Sequence, residues 1–244
     1  MRVLINGAGG RMGTALRAMI AGGCRNAVLA GSVDPYVQED GMFPSLEAFS
    51  GEADCIIDFS NHAGAPALLS YAVAKKLPVV IATTGHTPQE LSAIEEAAKK
   101  IPVFHAGNMS LGIALLTQLA RQAAQMFPDA DIEIVESHHN QKLDVPSGTA
   151  LMLAKAVQDA RPDSKLLVGR HENGKRTKAE IGIHSLRMGN TVGIHEVIIN
   201  TGTQIITLKH EAQDRSLFAE GALDAAAFLM EQAPGLYRMD DIVK

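Results

Sequence analysis

The sequence predicts an α/β protein in which a doubly wound parallel sheet is joined to a second, α+β domain built on a mixed or antiparallel sheet. Short apolar runs alternate with helical segments over the first 110 residues, and a glycine-rich turn joins the first run to the first helix. After residue 130 the pattern changes, because apolar and acidic residues alternate one by one, as in a strand with one wet face. At 244 residues the chain is long enough for two domains.

The composition predicts a soluble, cytoplasmic protein that binds neither nucleic acid nor a membrane. Hydrophobic residues make up 46%, charged residues 20%, and the formal net charge is -5, so there is no basic field for an anionic partner. No run approaches the roughly 18 apolar residues of a membrane span, and no signal peptide is recognisable. Cys24 and Cys55 have no C-x-x-C spacing, which favours reduced thiols over a disulfide or a zinc site.

The chain begins with a strand, a glycine turn and a helix. Arg2–Asn6 is a short apolar strand, glycines stand at 7, 9, 10 and 13, and a helix is predicted over Thr14–Ala21. Such glycines let backbone N–H groups approach a pyrophosphate at the start of a helix. The frame is Gly7-x-x-Gly10-x-x-Gly13 rather than G-x-G-x-x-G, so a turn that only packs the helix on the strand is the alternative.

A second strand, Ala27–Val33, ends at Asp34, about 20 residues beyond the glycines, where a carboxylate binds the adenosine ribose hydroxyls. Because Pro35 and Tyr36 follow instead of an arginine, NADH is the preferred cofactor and NADPH the alternative. A strand-end Asp that only caps a turn is the other interpretation of Asp34.

The rest of the first half completes a Rossmann-like alternation. Strands are predicted over Ala53–Phe59, Pro78–Thr83 and Pro102–His105, helices over Pro66–Lys76 and Pro88–Lys100, and a loop or short helix over Gln38–Gly51. Ligands of such sheets lie outside the carboxyl ends of the strands. The segments 58–60, 83–85 and 106–109 are therefore expected to line a path for the nicotinamide and its ribose.

The second half has a different order of elements. Helices are predicted over Ser110–Met126, Thr149–Ala160 and Ser216–Glu231, strands over Asp131–Ser137, Lys178–Arg187, Thr191–Asn200 and Gln204–Glu211, and an exposed loop over Arg161–Arg176. The tail from Pro234 to Lys244 offers little chemistry.

Residues 136–150, E-S-H-H-N-Q-K-L-D-V-P-S-G-T-A, form the best site candidate. His138 can donate a proton near neutral pH, Lys142 adds a positive charge, and Ser147-Gly148-Thr149 opens a helix whose N–H groups can bind an anion. A small carboxylate that is protonated as hydride arrives would suit this set. The alternative is a capped helix preceded by a polar loop.

No metal site is expected. Adjacent histidines in an extended segment point to opposite sides, so His138 and His139 cannot easily bind one ion. The remaining histidines are scattered along the sequence, a pattern typical of surface or satisfied core residues: His62, His86, His105, His171, His184, His195 and His210.

The signature over 136–150, together with G-A-G-G-R-M-G at the N-terminus, resembles the dihydrodipicolinate reductase family. The likeness extends to A-T-T-G at 82–85, G-N-M-S at 107–110, R-M-G-N-T-V-G-I-H at 187–195 and F-A-E-G-A-L-D-A-A at 218–226. It implies NAD(P)H-dependent reduction of 4-hydroxy-tetrahydrodipicolinate in the diaminopimelate route to lysine. It also implies a dinucleotide-binding domain of residues 1–110 and 216–244, and a substrate-binding domain of residues 111–215 that assembles a homotetramer.

The resemblance also implies roles for individual residues. His138 would be the proton donor, Lys142 would assist protonation and hold a substrate carboxylate, and His139, Gly148 and Thr149 would bind the substrate. The dinucleotide would contact Gly7, Ala8, Gly9, Gly10, Arg11, Met12, Asp34, Ala82, Thr83, Thr84, Ala106, Gly107, Asn108 and Met109. Judged by the residues alone, another NAD-dependent dehydrogenase of amino or hydroxy acids, or a dinucleotide-sensing module without catalysis, remains an alternative.

Overall fold

A computed structural model describes residues 1–37 and 39–243 of the chain. The chain forms two compact units: residues 1–110 with the segment from residue 215 onward, and Leu111–Asp214. Gln38 and Lys244, which the predicted 38–51 loop and the predicted C-terminal tail include, lie outside the described residues.

The two units contain twelve labelled strands and seven labelled α-helices among the described residues. The strands are β1 (Arg2–Asn6), β2 (Val28–Val33), β3 (Met42–Phe43), β4 (Cys55–Asp58), β5 (Val79–Ile81), β6 (Pro102–His105), β7 (Asp131–His138), β8 (Lys165–Val168), β9 (Glu180–Arg187), β10 (Gly193–Asn200), β11 (Ile205–Ala212) and β12 (Gly235–Tyr237). The helices are α1 (Arg11–Ala21), α2 (Ala65–Lys75), α3 (Pro88–Ala98), α4 (Leu111–Met126), α5 (Gly148–Ala160), α6 (Ser216–Leu229) and α7 (Met239–Ile242).

The first unit is built on a seven-stranded parallel sheet in the order β12-β6-β5-β4-β1-β2-β3. Its central strands are apolar on both faces because helices cover both sides. Leu68 of α2 and Ile94 of α3 belong to one core cluster with Leu4 and Ile56. On the other side α6 packs on β4, β5 and β6 and against α1. The predicted doubly wound sheet is confirmed.

The second unit is built on a five-stranded mixed sheet in the order β11-β10-β7-β9-β8. Strand β10 is antiparallel to both neighbours, whereas β7, β9 and β8 run parallel. Ile132 and Ile134 of β7 pack under α4 and α5, in a core that includes Leu116 and Leu153. One face of this sheet is therefore covered by helices, as the alternating sequence predicts.

Two features of the first unit differ from the sequence predictions. Helix α1 begins at Arg11 rather than at Thr14, so Gly10 becomes its N-cap and Gly13 lies in its first turn. In the described part of 38–51, the prediction of a loop or short helix is wrong at Met42–Phe43, which form the edge strand β3. Two residues are too few for a periodic signal.

Two further strands were missed. The predicted exposed loop over Arg161–Arg176 contains β8, whose K-L-L-V run pairs in parallel with β9. Pro162, Gly169 and Gly174 dominate that stretch, and they hid its short apolar run. The C-terminal tail contributes β12, which joins the edge of the parallel sheet beside β6. Short edge strands thus account for most of the missed structure.

Cys55 is buried and Cys24 is half-buried, and the two form no disulfide with each other. Within residues 1–37 and 39–243, no helix has the length and apolar character needed to cross a membrane.

Candidate active site

The glycine turn of the first unit joins β1 to α1 at the carboxyl edge of the sheet. Gly7 has a φ of 79°, and a Cβ there would lie 2.7 Å from the backbone of Ser60. A Cβ on Gly13 would lie 2.2 Å from the carbonyl oxygen of Gly7, so only glycine permits this close approach of helix and turn. No side chain caps the helix at Gly10. The first N–H groups of α1 thus remain available to an anion such as a pyrophosphate.

Asp34 follows β2 and lies beside this turn. Its carboxylate accepts hydrogen bonds from Gly9 N at 3.0 Å and Tyr36 N at 2.9 Å. These two bonds fix the carboxylate and leave acceptor positions for the paired hydroxyls of a ribose. The turn, the uncapped helix and Asp34 together fit the adenosine half of a dinucleotide.

The end of β5, which lies beside β4 in the sheet, carries two more of the predicted cofactor residues. Ala82 follows β5 and donates its N–H to Asp58 O at 3.0 Å, and the Thr83 hydroxyl donates to Asp58 Oδ2 at 3.3 Å. Asp58 also accepts from Asn6 Nδ2 at 2.8 Å and from Ser60 Oγ at 2.6 Å. Burial raises the pKa of Asp58, and these hydrogen bonds oppose the rise. The ends of β1, β4 and β5 are thus joined through one carboxylate.

The segment after β6 contains the remaining predicted cofactor residues, Ala106 to Met109. Ala106 donates its N–H to Ile81 O at 3.4 Å, and the Asn108 side chain accepts from Ser110 N at 2.8 Å. Met109 is buried, whereas a Cβ on Gly107 would meet open space. The segment therefore presents backbone at the same sheet edge as Ala82 and Thr83.

Three histidines treated as scattered in the sequence lie together in the first unit. The ring of His86 is 6.1 Å from His62 and 5.0 Å from His105, both edge to face. His62 also contacts Glu90 at 2.9 Å, and Thr83 contacts His86 at 3.2 Å. Burial and then the charges of His86 and Arg238 lower the pKa of His105. The fold therefore brings together three histidines that are far apart in the sequence.

In the second unit, the helix-covered face of β7 changes from apolar to polar at its carboxyl end. Ile132 and Ile134 are followed on the same face by Glu136 and His138, because side chains alternate along a strand. The Glu136 carboxylate is fully buried and lies 2.5 Å from Nδ1 of His138. Arg187 donates to both carboxylate oxygens, at 2.9 and 2.8 Å.

The charges of this cluster are set by burial and by these contacts. Burial raises the pKa of Glu136, but the hydrogen bonds, from Arg187 above all, outweigh it and bring the pKa down to about 2. Burial lowers the pKa of His138, and the bond to Glu136 opposes that effect. Glu136 is therefore an anion at neutral pH, and it favours a hydrogen on Nδ1 of His138, which leaves Nε2 for a substrate.

His195 of β10 lies against His138, with ring centroids 5.1 Å apart. Burial and then the positive charge of His138 lower the pKa of His195 to about 4, so this imidazole is neutral. Its Nε2 lies 3.3 Å from the Ser147 hydroxyl, which in turn accepts from Ala150 N at 3.2 Å and caps α5. The fold thus brings His195, which is far from His138 in the sequence, into the candidate site.

Lys142 and the start of α5 complete the candidate site. Lys142 Nζ lies 2.8 Å from Asp144 Oδ1, and Arg187 donates to the Asp144 carbonyl at 2.7 Å. His139, directly after β7, is half-buried. A Cβ on Gly148 would meet open space, so the helix start is accessible to a ligand.

The sequence identified the segment 136–150 but did not reveal three further side chains of the site. Glu136 stands two residues before His138, a spacing that places both on one face of a strand and could have revealed the pair. Arg187 and His195 come from β9 and β10, where only the strand register brings them to β7. Among the described side chains, no three of His, Cys, Asp and Glu converge as a metal-binding group.

Models of one protein family match nearly the entire chain. The model of the dihydrodipicolinate reductase N-terminus matches residues 1–109, and that of the C-terminus matches residues 112–243. The chain belongs to the dihydrodipicolinate reductase family. It is accordingly an oxidoreductase, and its N-terminal domain is of the type that binds a nicotinamide cofactor.

Similar members of this family include two named 4-hydroxy-tetrahydrodipicolinate reductase. That of Caldanaerobacter subterraneus subsp. tengcongensis is 44% identical over 100% of this chain and 98% of its own. That of Clostridium novyi is 40% identical with the same coverage. The reductase fold is thus shared over its whole length.

Solved structures agree. A dipicolinate-bound dihydrodipicolinate reductase from Paenisporosarcina sp. TG-14 has a TM-score of 0.83 at 27% identity, over 98% of this chain and 97% of that one. A myo-inositol dehydrogenase from Corynebacterium glutamicum has a TM-score of 0.60 at 16% identity, over 96% and 90%. The second likeness shows a shared fold alone.

Proposed function

We propose that the chain reduces 4-hydroxy-tetrahydrodipicolinate to tetrahydrodipicolinate with NADH, as a step of the diaminopimelate route to lysine. The observation that carries the proposal is the pair of His138 and Glu136, with Arg187 behind it, at the start of a segment with the family's signature. The names of the full-length relatives support the substrate. The bound cofactor supplies hydride, and the residues of the second unit supply the proton.

His138 is the proposed proton donor. Its Nδ1 is held by a carboxylate at 2.5 Å, so Nε2 is the nitrogen that presents a proton to the substrate. Lys142 is the proposed partner for a substrate carboxylate and assists protonation by its positive charge. Its contact with Asp144 at 2.8 Å keeps the ammonium within this segment until the substrate takes over the pairing.

The substrate's carboxylates are proposed to bind at His139, Gly148 and Thr149. Helix α5 begins there, and the partial positive charge of its N-terminus favours an anion. The dipicolinate named in the Paenisporosarcina structure is a planar dicarboxylate, which supports a dicarboxylate ligand for this type of site.

The cofactor is proposed to bind along the carboxyl edge of the first unit's sheet. Its pyrophosphate would contact residues 7–12, its adenosine ribose Asp34, and its nicotinamide half the segments 82–84 and 106–109. The buried carboxylate of Asp34 supports NADH over NADPH, since a 2'-phosphate would be repelled there.

The proposal is tested with 4-hydroxy-tetrahydrodipicolinate made in situ from pyruvate and aspartate semialdehyde. We expect the purified protein to consume NADH only when this substrate is present. His138→Gln should lower kcat by about 10² to 10⁴ while NADH binding is kept. Lys142→Ala should raise KM for the substrate.

Lys155→Ala is the matched control, because Lys155 forms a similar ion pair with Asp159, at 2.6 Å on the exposed side of α5. It should behave as the wild type. A wild-type protein that binds NADH but does not oxidise it with this substrate would overturn the proposal, and so would a His138→Gln variant with full turnover.

A homotetramer is proposed to form through the second unit's sheet. The face of that sheet opposite α4 and α5 carries half-buried Ile194 and Ile198 and exposed Leu186 and Ile205. Apolar side chains on an uncovered sheet face favour association with another copy.

A further inference from the structure

Glu136 lies at the centre of the polar end of the helix-covered face in the second unit. The strand register places it opposite Ser185 of β9 on one side and His195 of β10 on the other. His138, two residues on, lies opposite Arg187. Polar and ionisable side chains of β7, β9 and β10 therefore surround the carboxylate of Glu136.

The two oxygens of this carboxylate contact two different parts of the candidate site. Oε2 lies 2.5 Å from Nδ1 of His138, and Oε1 accepts the backbone N–H of Ser147 at 3.2 Å. Ser147 is the N-cap of α5. Arg187 spans both oxygens and offsets their charge, as a buried carboxylate requires.

Resting on the proposed function, we propose that Glu136 is a positioning residue for both halves of the reaction site. Through Oε2 it holds the proton donor, and through Oε1 it holds the start of the helix that binds the substrate's carboxylate. The carboxylate of Glu136 thus fixes the distance between His138, which protonates the substrate, and the start of α5, which binds the substrate's carboxylate. Arg187 keeps the carboxylate of Glu136 in place.

The same contact sets the proton affinity of His138. The charged and titratable groups around its ring are Glu136 on its own strand, Arg187 of β9, Lys142 of the following loop, and His195 of β10 with His210 of β11 beyond it. Of these, Glu136 is the anion that bonds the ring, and so its hydrogen bond and charge stabilise the imidazolium. Without it, the positive charge of Arg187 and that of Lys142, which is paired with Asp144, act on the imidazolium with no anion bonded to the ring.

The opposite face of β7 provides a matched comparison. There Glu133 contacts His184 Nε2 at 3.0 Å and is bound by the guanidinium of Arg176. This second set has the same three residue types, and its carboxylate is on the same strand, but Glu133 contacts neither His138 nor Ser147. Glu133→Gln therefore changes an equivalent pair outside the site.

The test compares Glu136→Gln with Glu133→Gln in the reductase assay across pH, with binding of dipicolinate measured by calorimetry. In Glu136→Gln we expect kcat/KM to fall by about 10² and the midpoint of its alkaline limb to move down by about one pH unit, because the imidazolium loses its counter-ion. Dipicolinate should bind more weakly by a factor of about 10, since a shifted helix start binds it less well. Glu133→Gln should leave all three quantities unchanged.

A loss of turnover in Glu136→Gln with the alkaline midpoint and dipicolinate affinity of the wild type would overturn the inference while leaving the proposed function intact. A wild-type protein that does not reduce the substrate would instead overturn the proposed function.

A measurement on the unaltered protein covers the case in which Glu136→Gln does not fold. Nitrogen chemical shifts of labelled histidine, with His138 assigned by its loss in His138→Gln, report which ring nitrogen carries the hydrogen. The inference requires hydrogen on Nδ1 in neutral His138. Hydrogen on Nε2 instead would contradict it.

Discussion

Asp34 is the residue at which the choice between the two nicotinamide cofactors can be tested. Ribose hydroxyls bonded to a charged carboxylate contribute about 1.5 to 3 kcal/mol each. Asp34→Ser should therefore raise KM for NADH about 10- to 100-fold and affect NADPH much less, because the repulsion of its phosphate is lost as well.

Asp54→Asn is the control. Asp54 bonds Arg2 at the amino ends of β1 and β4, whereas the proposed cofactor site is at the carboxyl ends of the strands. Steady-state kinetics with both cofactors give the answer. An unchanged ratio of the two kcat/KM values in Asp34→Ser would exclude the ribose role.

At the scale of the element, helix α5 depends on its N-cap. Ser147→Ala removes the acceptor for Ala150 N, and a lost cap costs about 1 kcal/mol. Because the same helix start is the proposed binding site for the substrate's carboxylate, Ser147→Ala should raise KM for the substrate severalfold as well as lower the melting temperature.

Helix α3 supplies the control for this prediction. Thr87 and Glu90 form a capping box there, so Thr87→Ala should cost similar stability. It should not change KM for the dicarboxylate. Equal effects of both substitutions on that KM would show that the rise reflects general destabilisation.

At this scale the sequence predicted the strand with a clear periodicity but missed the short strands at the sheet edges. The alternation after Asp131 has a clear period of two residues, and the structure has a strand there. The edge strands β3, β8 and β12 are two to four residues long and carry no period. Arg187 and His195 were not predicted as neighbours of His138 for another reason, because only strand pairing brings them next to it.

At the scale of the whole molecule, buried histidines make stability depend on pH. Burial lowers the pKa of His105, His138, His195 and His210. The unfolded chain therefore binds more protons than the folded one below the ordinary histidine pKa, and stability falls as pH drops from about 6.5. Glu136, with its pKa lowered to about 2, extends the loss below the ordinary glutamate value.

The buried His195 dominates this effect, because its pKa falls from 6.5 to about 4, which corresponds to on the order of 3 kcal/mol. Urea midpoints should decrease steadily from about pH 7 to pH 4. His195→Gln, which does not titrate, should flatten that decrease. A midpoint that is constant over this range would contradict the prediction.

Assembly is the second prediction at this scale. Ile198 lies on the uncovered face of the second unit's sheet, opposite Glu133 and Thr207 in register. Ile198→Glu should dissociate the proposed tetramer in sedimentation experiments, because a charge would be buried in the contact. Leu119→Glu, which alters an exposed leucine of α4, should keep the wild-type assembly. A tetramer that survives Ile198→Glu would place the contact elsewhere.

The return of the chain to its first unit has a consequence for synthesis on the ribosome. Strand β12 and helix α6, whose Ala222, Leu223 and Leu229 are fully buried, come from the C-terminal segment. The second unit is complete once residue 214 has been translated, whereas the parallel sheet then still lacks an edge strand and a covering helix. The first unit thus begins to be synthesised before the second unit but is completed after it. Until the C-terminal segment has been added, the apolar surface that this segment covers stays exposed and can be bound by chaperones.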